Sequence, residues 1–99
     1  MKKVIVQFNF PGMTTKQYDQ AWEELRAKGY SNPKGLIHHV GVQQGNNWVV
    51  VDVWESEEAF NEFGKTLMSI FQKNGSQVPP PQVIPAHYVL VQQHESMPA

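Results

Sequence analysis

Residues 36–54 read Leu36-Ile37-His38-His39-Val40-Gly41-Val42-Gln43-Gln44-Gly45-Asn46-Asn47-Trp48-Val49-Val50-Val51-Asp52-Val53-Trp54. Two runs rich in β-branched and aromatic residues flank a Gly-Asn turn, the pattern of a β-hairpin. A turn through Gln44-Gly45-Asn46-Asn47 sets His39 opposite Asp52, Gly41 opposite Val50, Gln43 opposite Trp48 and Ile37 opposite Trp54. Side chains alternate between the faces of a strand, so this set occupies one side. Leu36, His38, Val40 and Val42 share the other side with Val49, Val51 and Val53. The nearly pure aliphatic content of the second set predicts that helices cover it. The mixed set then faces outwards, and its two tryptophans predict burial against a second copy of the chain.

On the N-terminal side, Val4, Val6, Phe8 and Phe10 alternate with Ile5, Gln7 and Asn9, which predicts a strand ended by Pro11-Gly12. Thr14 and Gln17 fit a capping box, and Met13 with Tyr18 fits a hydrophobic staple. A helix over 15–28 follows, with Tyr18, Ala21, Trp22 and Leu25 as an apolar stripe that reads as core. Arg26, Lys28 and Gly29 suit its C-terminal end. Beyond the hairpin, Ser56 caps a second helix with Glu57 and Glu58 in its first turn. Phe60, Phe63, Leu67, Ile70 and Phe71 line its buried side, and Asn74-Gly75 ends it. Pro79-Pro80-Pro81 stiffens the connection to a last strand over 83–91, which Pro85 assigns to a sheet edge. A polar tail occupies 92–99.

The order β-α-β-β-α-β is the ferredoxin-like α+β arrangement: one domain over residues 1–91, with a four-stranded antiparallel sheet and two helices on one face. Right-handed crossovers give the spatial strand order 4-1-3-2.

Composition narrows the function. Eight basic against nine acidic residues leave a formal charge of −1, unsuited to neutralising nucleic-acid phosphates. The absence of cysteine removes disulfides and thiolate catalysis. No apolar run is long enough to span a bilayer, and Met1-Lys2-Lys3-Val4 reads directly as a strand start, so a cytoplasmic protein is expected. Glycine-rich phosphate loops, nucleophile elbows and helical His-Glu motifs are not found in the sequence.

The element order, together with Val53-Trp54-Glu55-Ser56-Glu57-Glu58-Ala59-Phe60, resembles the antibiotic-biosynthesis-monooxygenase-like branch of the dimeric α+β barrel superfamily. The resemblance covers about residues 3–91 and implies a homodimer of ferredoxin-like subunits. Relatives include cofactor-independent monooxygenases of aromatic polyketides, haem-degrading enzymes and small isomerases. The haem-degrading branch uses an Asn on the first strand with a Trp and a His on the second helix. Asn9 fits the first role, but Phe63 stands where the Trp is expected and the second helix has no His. That chemistry is therefore not expected.

His39 and Asp52 form the sharpest candidate pair. Facing each other, Asp52 would hold one ring nitrogen, fix the tautomer and strengthen His39 as a general base. An ordinary cross-strand polar pair satisfies both groups equally well. Asn9 and Gln7 would position a substrate, Trp48 and Trp54 would wall the cavity, and His87 is placed in the same pocket. His38 points away from His39. A metal site built from His39, Asp52 and His87 is disfavoured, because intervening strands hold these residues apart. The expected function is a cofactor-free monooxygenase acting on a small apolar or aromatic, quinol-type molecule at the dimer's sheet–sheet contact. The alternatives are a non-catalytic binding module and an isomerase or lyase using the same base.

Overall fold

The computed structural model describes residues 2–75 and 78–90. Six elements follow in order: β1 (Val4–Pro11), α1 (Thr15–Ala27), β2 (Leu36–Gln44), β3 (Asn47–Trp54), α2 (Glu57–Lys73) and β4 (Gln82–Pro85). The strands form one antiparallel sheet in the order β2-β3-β1-β4, with β2 and β4 at its edges. This is the ferredoxin-like α+β fold expected from the element order. Among the described residues no helix is long and apolar enough to cross a membrane.

Local chemistry explains where α1 begins and ends. Gln17 N donates to Thr14 Oγ1 at 3.2 Å, and Thr14 N donates to Gln17 Oε1 at 2.9 Å, closing the capping box. At the far end Tyr30 N donates to Leu25 O at 2.8 Å and Gly29 N to Arg26 O at 3.0 Å. Those two bonds are the Schellman pattern, which satisfies carbonyls the helix leaves free. Ser56 caps α2 by accepting from Ala59 N at 3.1 Å.

Strand β4 is shorter than the expected 83–91. Residues 86–90 carry no strand, and Val91 and the tail at 92–99 lie outside the described residues. Ile84 pairs with Ile5 and Pro85 with Val4. One further bond, Ala86 N to Lys3 O at 2.9 Å, closes the ladder. Pro85 has no N–H to give, as suits the end of an edge strand.

The hairpin has the expected turn and register from His39 to Gln44, with His39 opposite Asp52 and Gly41 opposite Val50. A bulge at Ile37 then sets Leu36, rather than Ile37, opposite Trp54. Leu36 thereby turns inwards.

The covered face is the reverse of the one expected. Trp48, Val50, Asp52 and Trp54 are buried, while Val40 and Val42 are 55% and 51% exposed. The pairing of β1 with β3 decides this. Phe10 lies opposite Trp48, Phe8 opposite Val50, Val6 opposite Asp52 and Val4 opposite Trp54. All the aromatic side chains of both strands therefore point to one side. Burying an aromatic ring removes roughly 150–250 Å² from water, which puts it at or above the high end of the roughly 1.5–3 kcal/mol for a buried apolar side chain. A valine lies at the low end of the same range. Helices accordingly pack on the aromatic side, where Phe10 meets Phe71 at 5.6 Å and Trp54 meets Phe60 at 5.8 Å between ring centroids. The aliphatic side, with Ile5, Val40, Val42, Val49, Val51, Val53 and Ile84, is left uncovered by the described residues.

Candidate active site

Among the described residues Asp52 is the one carboxylate inside the core, 5% exposed on the inner face of β3. A buried charge is tolerated only where hydrogen bonds replace water. Two neighbours do so. His39 Nδ1 lies 2.6 Å from Asp52 Oδ1, and Trp54 Nε1 donates to Asp52 Oδ2 at 3.1 Å. Residues 52 and 54 share a face by strand alternation, and 39 is the cross-strand partner of 52.

The second imidazole nitrogen is also engaged. Tyr18 Oη lies 2.5 Å from His39 Nε2. An ionised carboxylate only accepts, so His39 Nδ1 carries the proton towards Asp52. His39 Nε2 is then an acceptor, and the Tyr18 hydroxyl donates to it. The result is one directed chain, from Tyr18 through His39 to Asp52, with Trp54 anchoring its far end. Burial pushes the Tyr18 phenol above its ordinary value of 10.0, and the negative charges of Asp52 and Asp19 push the same way. The phenol thus keeps its proton at neutral pH.

Tyr18 and Trp22, expected as plain core, instead enclose His39. The Tyr18 and His39 rings lie nearly parallel with centroids 5.9 Å apart, and Trp22 meets the imidazole edge-on at 5.0 Å. Trp48 backs Tyr18 at 4.5 Å. Gly41 makes room for this group. A Cβ there would lie 2.8 Å from Tyr18 Cζ and Oη and 3.0 Å from Trp48 Nε1. Both sequence signals were present, a hydroxyl on the inward stripe of α1 and a glycine inside a strand, which marks close approach.

A cavity of about 50 Å³ lies between the sheet and the helices, lined by Tyr18, Trp22, His39, Asp52 and Trp54 together with hydrocarbon from Phe8, Phe60, Phe63 and Leu67. Tyr18, Trp22 and His39 also face an open depression of about 490 Å³ beside Asp19, Glu23 and Arg26. They form the wall between interior and solvent. At another side, Met13, Phe10, Ala21 and Phe71 separate the cavity from an open cleft of about 670 Å³.

The structure thus brings together His39, Asp52 and Trp54, while Trp48, expected to wall the cavity, backs Tyr18 and is not on the cavity wall. It does not bring the other candidates to them. Gln7 and Asn9 are exposed on the uncovered face, with the sheet between them and Asp52. His87 is exposed beyond the end of β4 and is not on the cavity wall. The enclosed space of this chain lies on the helix side of the sheet, opposite to where a sheet–sheet cavity was expected.

Among curated proteins, none matches the chain. Among solved structures, SnoaB, a cofactor-independent oxygenase from Streptomyces nogalater, matches in two forms. A point variant gives a TM-score of 0.63 and a second SnoaB structure 0.60. Each is 13% identical and covers 93% of this chain and 100% of its own. At that identity the likeness establishes the shared fold. The family comparison reaches further, matching residues 1–68. By that match the chain belongs to the antibiotic biosynthesis monooxygenase family.

Proposed function

We propose that this protein is a homodimeric, cofactor-independent monooxygenase that deprotonates an aromatic or quinol-type substrate in the cavity between sheet and helices. The observation that carries the reading is the hydrogen-bonded chain of Tyr18, His39 and Asp52 in an apolar wall. An oriented imidazole–carboxylate pair is a general base, and apolar surroundings suit a ring that carries few polar groups. Family membership and the fold shared with a cofactor-independent oxygenase support the same reading. Fold alone would be weak support, since one fold serves many functions.

In this mechanism Asp52 holds His39 in one tautomer, Trp54 holds Asp52, and the aromatic walls align the ring. Loss of a proton makes the substrate an electron-rich anion, which passes one electron to dioxygen. The radical pair joins at carbon as a peroxide anion, which takes up a proton to become a hydroperoxide and then expels water to leave a ketone. One oxygen atom stays in the product and the other leaves as water. All the reducing electrons come from the substrate.

A cavity of about 50 Å³ is smaller than the roughly 150 Å³ that takes benzene. Binding therefore requires the wall to open. Met13, flexible and shared between the cavity and the open cleft, is the side chain best placed to yield. The uncovered sheet face, with Val40, Val42 and Ile84 exposed, is assigned to a second copy of the chain. Gln7 and Asn9 then face that partner rather than the substrate. A cytoplasmic setting fits a cysteine-free chain that needs no oxidising compartment.

Oxygen uptake with naphthohydroquinone and anthrone, corrected for autoxidation, tests the reading. The wild type should exceed autoxidation, and His39→Gln should fall by roughly 10²–10⁴-fold, the usual share of general acid–base catalysis. Uptake by the wild type no faster than autoxidation, with ring binding retained, would instead support a non-catalytic binding protein.

A further inference from the structure

The base has no free nitrogen. His39 Nδ1 is held by Asp52 at 2.6 Å and His39 Nε2 by Tyr18 Oη at 2.5 Å. A substrate therefore meets His39 either by displacing Tyr18 or by working through it. Two features favour working through it. Tyr18 Oη is set by close packing against Gly41, where a single added carbon would collide with it at 2.8 Å. Trp48 holds the ring from behind, with centroids 4.5 Å apart. Tyr18 and His39 both line the inner cavity and both border the outer depression, where the His39 side chain is 20% exposed.

We propose that Tyr18 is the catalytic residue that meets the substrate, the inner end of a proton relay whose outer end is His39. The inference rests on the reading of this site as one that removes a substrate proton. As the substrate's acidic C–H or O–H bond breaks, its proton goes to Tyr18 Oη while the Tyr18 proton passes to His39 Nε2. The electron pair stays on the substrate as an anion. His39 becomes an imidazolium paired with the Asp52 carboxylate and holds the added proton, which returns through Tyr18 to the peroxide or exchanges with solvent at the 20% exposed imidazole. The charge separation is thus held by the chain that Trp54 anchors, and Tyr18 ends each transfer as a neutral phenol.

The two routes predict opposite signs for one substitution. Tyr18→Phe keeps the ring and removes the hydroxyl. If Tyr18 only blocks His39, the variant frees His39 Nε2 and proton removal is equal or faster. If Tyr18 is the relay, proton removal falls. The probe is anthrone in oxygen-free deuterium oxide, with exchange of its acidic hydrogens followed by NMR. The wild type should accelerate exchange, Tyr18→Phe should lose roughly 10²-fold or more in kcat with KM nearly unchanged, and His39→Gln should lose at least as much. Gly41→Ala retains the hydroxyl but displaces it, and should also lose most of the exchange. Thermal unfolding of each variant confirms that it is folded. Exchange by Tyr18→Phe at or above the wild-type rate, with His39→Gln inactive, overturns the relay and leaves the base assignment standing. No acceleration by the wild type overturns both. Exchange without oxygen uptake in air supports the relay and contradicts the monooxygenase reading.

Discussion

At the scale of single residues, Asp52 carries two duties that an amide cannot share. It accepts from His39 Nδ1 and from Trp54 Nε1, whereas Asn offers one accepting oxygen and an NH₂ group. Asp52→Asn should therefore leave one buried donor unmet, costing roughly 1–3 kcal/mol in stability. It should also favour the wrong imidazole tautomer and slow oxygen uptake. Urea unfolding and uptake assays measure the two effects separately. Stability unchanged from wild type would contradict the contacts described.

Tyr18 gives a pH signature of its own. Burial raises its phenol above 10.0, so the folded state keeps the proton that the unfolded chain loses first. The stability this contributes is complete below pH 10.0 and is lost as pH climbs from there through the raised value. Denaturation midpoints across that range should fall more steeply for the wild type than for Tyr18→Phe. Parallel curves would contradict a buried phenol. The pairing of His39 with Asp52 was legible in the hairpin, because a short turn fixes register locally. The part played by Tyr18 was not, because helical spacing records which side is apolar and not which strand residue the hydroxyl will meet.

Among the elements, the two helices and the hairpin were readable from caps, periodicity and turn chemistry, all of which act over a few residues. Which face the helices cover was not readable from the hairpin alone. An all-valine side and a tryptophan-bearing side are both plausible cores, and the choice rests on how β1 pairs with β3 across the intervening α1 and β2. The alternation of Val4, Val6, Phe8 and Phe10 held the missing information, since their side is unambiguous and Trp48 and Trp54 lie opposite Phe10 and Val4. The bulge at Ile37 is likewise set by its surroundings. Just before it, Gly35 has φ +89, and a Cβ there would sit 2.6 Å from Ala59 Cβ. Gly35→Ala should destabilise by roughly 1–3 kcal/mol through overpacking, with added cost from the positive φ. Thr14→Ala, which removes one half of the capping box, should cost roughly 0.5–2 kcal/mol. Thermal or chemical unfolding checks both, and a neutral Gly35→Ala would mean that β2 and α2 pack less closely than described.

At the scale of the whole molecule, the sheet separates two tasks. Its aromatic face, under the helices, encloses the chain of Tyr18, His39 and Asp52 to which proton removal is assigned here, and its aliphatic face is the one proposed to meet a second copy. The proposed dimer should have twice the 11.3 kDa mass of one chain. A charge placed at Val42, 51% exposed in the single chain, should halve that mass without unfolding the subunit. Light scattering on wild type and Val42→Glu reads this directly, and a wild type at single-chain mass at micromolar concentration would remove the dimer. The central claim is that chemistry occurs on the helix side, within each subunit. Its most direct test is a crystal structure of the protein soaked with anthrone under nitrogen. Density for the ring is expected between α1 and the sheet, in contact with Tyr18 Oη and the face of Trp54. Density seated only between two sheets, against Gln7 and Asn9, would contradict it.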